Sequence, residues 1–161
     1  MKKAIIIGTS LSGKTTIIKQ LRLTTNLPIS EVDEELTRLN GGTFPKDDEY
    51  KNNILFPKIA ELIFNKSEIF FFTNTWYFSI QRLKEARGKG FSIIQLEVSF
   101  EVLKQRNIKR QGEGYDNLEQ YLEEMVEYQE LLKKENLVDY IVNAEQTVEN
   151  VVIELLEILK K

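Results

Sequence analysis

The chain contains no cysteine and no histidine. Without cysteine there are no disulfides and no thiolate-ligated metal sites. Without histidine the usual general base and the usual zinc ligand are both missing, so acid–base chemistry falls to a carboxylate or a lysine. No apolar run approaches the ~20 residues that a membrane-spanning helix needs. The N-terminus MKKAIIIGTS has a basic start, but its apolar stretch is only Ala4–Ile7, too short for a signal peptide, and a cytoplasmic location is expected. There is also no basic excess: the formal net charge is −3. That argues against a general nucleic-acid binder, although a local basic groove stays open. What is present is ordinary for a globular protein, with 42% hydrophobic and 29% charged residues. The 161 residues suffice for one domain, 1–161, with a sizeable core.

The most informative stretch is GTSLSGKTT, residues 8–16, which follows the apolar run AIII. It reads G-x-x-x-x-G-K-T, with Gly8, Gly13, Lys14 and Thr15 in the fixed positions. Ala4–Ile7 suits a buried strand, and Ile17, Ile18 and Leu21 follow at helical spacing. A strand before and a helix after are the context that a phosphate-binding P-loop requires. Glycines let backbone N–H groups approach an anion, and the helix start adds unsatisfied N–H groups and the positive end of its dipole. Lys14 then reaches the β- and γ-phosphates, and the Thr15 hydroxyl ligates Mg²⁺. Ser10, Ser12 and Thr16 complete the expected phosphate cradle. The expected ligands are therefore a nucleoside triphosphate and Mg²⁺; the motif alone does not choose between a kinase using ATP, a GTPase and another ATPase.

Beyond the hook, helices and strands alternate. LPISEVD reads as a second strand ending near Asp33, and NGGTFPKDD as a loop. Leu55, Ile59, Leu62 and Ile63 share a helical face, with Pro57 marking a kink or a fresh start. IFFF (69–72) is a third strand, followed by a helix to about Arg87. FSIIQLEV (91–98) is a fourth strand, followed by a helix over 100–110. RQGEGYD (110–116) is a polar loop. Leu118, Tyr121, Leu122, Met125 and Leu132 mark a long amphipathic helix. LVDYIV (137–142) is a fifth strand, and Val148, Val151, Val152, Leu155 and Leu159 mark a last helix. The alternation predicts an α/β protein with a parallel sheet covered on both faces. Ligands in such sheets bind at the carboxyl ends of the strands, here Gly8, Asp33, Thr73–Thr75, Ser99 and Asn143.

A GTPase would show D-x-x-G after the third strand, and FFFTNTW has none. The chain instead resembles the small P-loop kinases of nucleotides and metabolites, the adenylate, shikimate and gluconate kinase-like group. The resemblance rests on the P-loop, on SEVDEELTRLNG (30–41), on LEVSFEVLKQRNIKR (96–110) and on VDYIVNAEQTVENVVIELL (138–156). It implies a three-layer P-loop fold with sheet order 2-3-1-4-5 and a short lid at about 107–117. It also implies an R-x-x-x-R pair, Arg106 and Arg110, at the lid edge, and Asn143 at the edge of the adenine pocket. Departures are equally plain: TNTWYF stands where shikimate kinase has a Gly-Gly-Gly run. In DDEYKNN the nearest cation to that family's substrate-gripping arginine is Lys51.

Several roles are open to each candidate. Asp33 is the expected general base or a holder of an Mg²⁺-bound water, with helix capping as the alternative. Glu31 is a helper on the metal side or an exposed charge. Arg106 and Arg110, at i and i+4, are expected to face the phosphates, or Arg106 to lie on adenine. The alternative is a solvated basic face shared with Lys109. Asn74 and Trp76 are expected acceptor contacts, with two of Trp76, Tyr77 and Phe78 in the core. Arg38 is expected to grip an acceptor phosphate or to pair with Glu34 or Glu35. The resulting expectation is an ATP-dependent phosphotransferase acting on a small molecule, a nucleoside or nucleotide first. It would work away from membranes and nucleic acid, as a monomer or homodimer. A polynucleotide 5′-hydroxyl kinase and a non-catalytic nucleotide-binding regulator are the alternatives.

Overall fold

The computed structural model describes residues 1–161. Side chains alternate across a strand, so a strand that is apolar at every position must be covered on both faces. β1 (Lys3–Gly8), apolar from Ala4 onward, and β3 (Ile69–Thr73), apolar up to Phe72, are such strands. Ala4, Ile6, Phe70 and Phe72 point into one core, and Ile5, Ile7 and Phe71 into another. β2 (Ile29–Glu31), β4 (Ser92–Glu97) and β5 (Tyr140–Asn143) complete a five-stranded parallel sheet of order β2-β3-β1-β4-β5.

The first core is roofed by α1 (Lys14–Thr24), α6 (Phe100–Gly112) and α8 (Val148–Leu159). The second is roofed by α2 (Val32–Leu39), α4 (Phe56–Phe64) and α5 (Ile80–Gly88). α7 (Glu119–Lys134) contributes to both, with Leu122 and Met125 in the first core and Tyr128 and Leu132 in the second. A short turn, α3 (Asp48–Tyr50), runs through a π-helical stretch, Lys51–Leu55, into α4. The three-layer architecture and the strand order are those expected. No helix is long and apolar enough to cross a membrane.

Three boundaries differ from the sequence reading by two residues or more. β2 stops at Glu31, and Asp33 lies in the first turn of α2. The Glu31 carboxylate caps that helix by accepting the Glu34 N–H at 3.0 Å, and the acidic run Asp33–Glu35 suits its positive end. β5 begins at Tyr140, not at 137. Leu137 instead fills the second core, and the Asp139 carboxylate accepts the Ile93 N–H at 2.7 Å and pairs with Arg87. α6 continues past residue 110 to Gly112. Of the two outcomes expected at Pro57, a kink or a fresh start, the helix takes the second, beginning at Phe56 after the π-helical stretch; Leu62, expected on the buried face of Leu55, Ile59 and Ile63, is exposed.

Candidate active site

At the end of β1 the chain turns too tightly for a side chain. A Cβ on Gly8 would stand 2.5 Å from the Ser12 Oγ and 3.2 Å from the Lys14 Cγ. Ser12 closes the turn, its hydroxyl and its N–H both donating to the Thr9 carbonyl, at 2.8 and 3.1 Å. Gly13 is the N-cap of α1 at φ +86°, a conformation that favours glycine, and no side chain caps the helix. The first N–H groups of α1 are therefore left for an anion. Lys14 is buried, and its ammonium donates to the Thr9 carbonyl at 3.1 Å. Burial lowers its pKa to about 8, against the opposing pull of Asp33 and Glu31.

The hook opens into a cavity of about 610 Å³, lined by Ser10–Thr16, by Arg106 and Arg110, by Tyr115 and by Ala144, Gln146 and Val148. All the expected cradle residues after Gly8 meet there. Arg106 and Arg110 reach it from α6, as their spacing requires. Arg106 spans two backbone carbonyls, Leu11 in the P-loop and Ala144 after β5, both at 2.8 Å. Arg110 leans over the Tyr115 ring at 4.3 Å and reaches the Ser10 carbonyl at 3.4 Å. Lys109 also lines the cavity. Asn143 does not: its carboxamide accepts the Glu145 N–H at 2.9 Å and so shapes the turn, while Ala144 and Gln146 face the cavity.

A second cleft, of about 370 Å³, adjoins the first, and Ser10 lines both. Its walls include Lys51, Asn52, Asn74, Trp76 and Tyr77. Trp76 is exposed and Phe78 fully buried, with Tyr77 between them, so only one of the three aromatics is wholly core. Asp33 sits close enough to Lys14 and Lys51 for both cations to favour its charged form, but burial dominates and raises its pKa. Its Oδ1 is buried and has no hydrogen-bond partner. An orphaned carboxylate oxygen between two lysines is the feature expected of a group that receives a proton or serves a metal. Helix capping is not its role, because Glu31 is the cap. The pKa of Glu31 is raised as well, mainly by burial.

Arg38 is not brought to the site. Its guanidinium binds Glu35 at 2.7 Å and lines a groove with Pro28 and Lys66 near the start of β3, away from the P-loop. Two further residues enter the site. Lys51 is carried in by the π-helical stretch, its ammonium 5.5 Å from the Tyr77 ring centre and 3.2 Å from Asp48. Tyr115 is the Arg110 platform. Tyr115 has no sequence pattern of its own; Lys51 stands out only as the cation nearest to the position of the substrate-gripping arginine that the resemblance implies.

Among solved structures, the shikimate kinase of Aquifex aeolicus superposes with a TM-score of 0.72 at 23% identity, over 98% of this chain and 96% of that one. The fold is that of the shikimate kinases. The Acinetobacter baumannii shikimate kinase, solved with shikimate, gives 0.76 at 17% identity, over 99% and 93% of the two chains. A gluconokinase from Sinorhizobium meliloti gives 0.59 at 18% identity, over 95% and 89%. These structures belong to the shikimate and gluconate kinase-like group of P-loop kinases. No family profile and no curated protein matches the sequence. The kinase fold thus places the P-loop, Asp33 and the R-x-x-x-R helix at one end of a common sheet.

Proposed function

We propose that the chain transfers the γ-phosphate of ATP to a small molecule, with a nucleoside or nucleotide as acceptor. The observation that carries this reading is the meeting of two clefts at Ser10, one built for phosphates and one lined by aromatics and amides. The residues fit ATP: the Gly8 turn has no room for a side chain, and the first N–H groups of α1 have no side-chain cap. They fit Mg²⁺ as well, through the exposed Thr15 hydroxyl at the start of α1 and the orphaned oxygen of Asp33, which lies near Lys14. Mg²⁺, when bound, offsets the negative charge on the phosphates.

For a hydroxyl acceptor, Asp33 receives the hydroxyl proton as the acceptor oxygen bonds to the γ-phosphorus. The bond from that phosphorus to the β–γ bridging oxygen breaks, and ADP leaves. Lys14 and Arg110 stabilise charge on the transferring group. Arg106 holds the P-loop against the turn that edges the base. Trp76 and Tyr77 offer flat surfaces to a nucleobase, and the carboxamides of Asn52 and Asn74 match its donors and acceptors.

The lid of this reading is shorter than 107–117. Asn107 is buried, donates to the Asn117 carboxamide at 2.9 Å and accepts the Leu118 N–H at 2.9 Å, which fixes both ends. That leaves 111–116 as the part that closes over the phosphates.

The test is transfer of labelled γ-phosphate to separate pools of nucleosides, nucleotides, sugars and oligonucleotides. Label is expected in a nucleoside or nucleotide pool, and none with Lys14→Ala. ATP binding without transfer to any pool would favour the regulator instead.

A further inference from the structure

Trp76 is held in a conformation that a bulky side chain rarely adopts, at φ +71°. Such strain persists only where the surroundings enforce it, and it concentrates at functional sites. The enforcement is visible. The indole N–H donates to the Glu124 carbonyl of α7 at 2.9 Å, and the indole stands 4.8 Å from the Tyr128 ring. Tyr128 is itself fixed, its hydroxyl donating to the Phe78 carbonyl at 2.7 Å. Yet Trp76 remains 51% exposed. A strained, doubly anchored and half-open indole offers a fixed flat surface to a ligand.

Trp76 also lines a further cleft, of about 390 Å³. Asn52 and Tyr77 line both clefts, so the two form one trough running from Ser10 past the indole. Arg82, in the first turn of α5, lies at the far end. No carboxylate pairs with its guanidinium. Lys51, at the near end, is by contrast already paired with Asp48. An unpaired guanidinium closing a trough is suited to an oxyanion.

We infer that the acceptor site continues past Trp76 to Arg82, and that its occupant carries an anionic group remote from the accepting hydroxyl. This inference rests on the phosphotransferase reading for the position of that hydroxyl, near Ser10 and Asp33. A nucleoside 3′-monophosphate accepting at its 5′-hydroxyl has this layout: hydroxyl toward the P-loop, base over Trp76, phosphate on Arg82. A 5′-monophosphate does not, because its charge lies at the reacting end.

Trp76 is the only tryptophan in the chain, so its fluorescence reads this trough without requiring turnover. A nucleoside, its 3′-monophosphate and its 5′-monophosphate are each titrated into the wild type, Arg82→Gln and Arg82→Lys. Each variant is first confirmed to melt as the wild type does. The 3′-monophosphate is expected to bind roughly tenfold or more tightly than the nucleoside, as a charge-assisted contact allows. Arg82→Gln should erase that advantage and Arg82→Lys restore part of it. Equal affinities for nucleoside and 3′-monophosphate, or an advantage that survives Arg82→Gln, would overturn the inference. Phosphoryl transfer is measured on the same samples. Transfer to nucleosides without Arg82 dependence refutes the distal subsite and leaves the kinase reading intact. Arg82-dependent quenching with no transfer to any acceptor refutes the kinase reading and leaves the subsite. Absence of any quenching refutes the subsite whatever the transfer assay shows.

Discussion

Arg106→Ala separates two roles that the sequence left open, a clamp on the backbone and a platform under adenine. In the structure its guanidinium ties the Leu11 carbonyl to the Ala144 carbonyl, at 2.8 Å each, so the P-loop and the turn after β5 share one cation. A hydrogen bond to a charged group is worth about 1.5–3 kcal/mol; these two are only partly buried, and solvent screening brings them below twice the low end, to about 2 kcal/mol together. For a chain of this size that is a loss of roughly 4–8 °C in Tm without any nucleotide. ATP affinity should also fall, by roughly tenfold, because a fraction of the clamp energy held the two walls of the cavity in register. Arg106→Lys should recover little of either, since one ammonium cannot span two carbonyls as the flat fork does. The assay is a calorimetric melt of the ATP-free protein, paired with an ATP titration of each variant. If Arg106→Ala melts as the wild type does while ATP binding collapses, the clamp is worth nothing and the arginine acts on the nucleotide directly.

Asp33→Asn should lower kcat by roughly 10² or more with little change in ATP affinity, and should not lower Tm, because the carboxylate it replaces is buried and unpartnered; unchanged kcat refutes its role as base. Lys14 gives a pH signature. Its pKa falls from 10.5 in the unfolded chain to about 8 in the folded one, so the folded state binds fewer protons between those values. Stability should therefore rise across pH 8–10.5, by about 3 kcal/mol, and Lys14→Met should lack that rise in matched denaturant curves. In the same range the wild type should lose kcat/KM for ATP above pH about 8, as the ammonium that meets the phosphates loses its proton. Gly8→Ala should abolish ATP binding, because its methyl would collide with the Ser12 hydroxyl and the Lys14 stem; ATP binding at wild-type affinity would show that the turn relaxes at no cost.

The P-loop was legible from the sequence because its chemistry is local. Gly8, Gly13, Lys14 and Thr15 lie within one turn, and the strand before and helix after are set by short-range periodicity. The α/β class was legible for the same reason: buried strands announce themselves as apolar runs such as IFFF, and the helices between them keep their own period. The spacing of Arg106 and Arg110 placed both on one face of α6 before any neighbour was known. What those arginines touch was not legible, since Arg106 joins Leu11 to Ala144 across the whole fold. Nor could the sequence show that Arg38, in the last turn of α2, pairs with Glu35 away from the P-loop, or that Asn143, at a strand end, turns its side chain to the Glu145 N–H. That Lys51 and Arg82 line the trough was hidden for a complementary reason. Each sits in an unremarkable polar stretch, and only the π-helical stretch before α4 and the α5 start after Trp76 carry them to the trough. Local sequence fixes backbone periodicity and loop chemistry; which cation lacks a partner, and which aromatic is held open, depends on residues far apart in the chain and is decided only when the sheet brings them together.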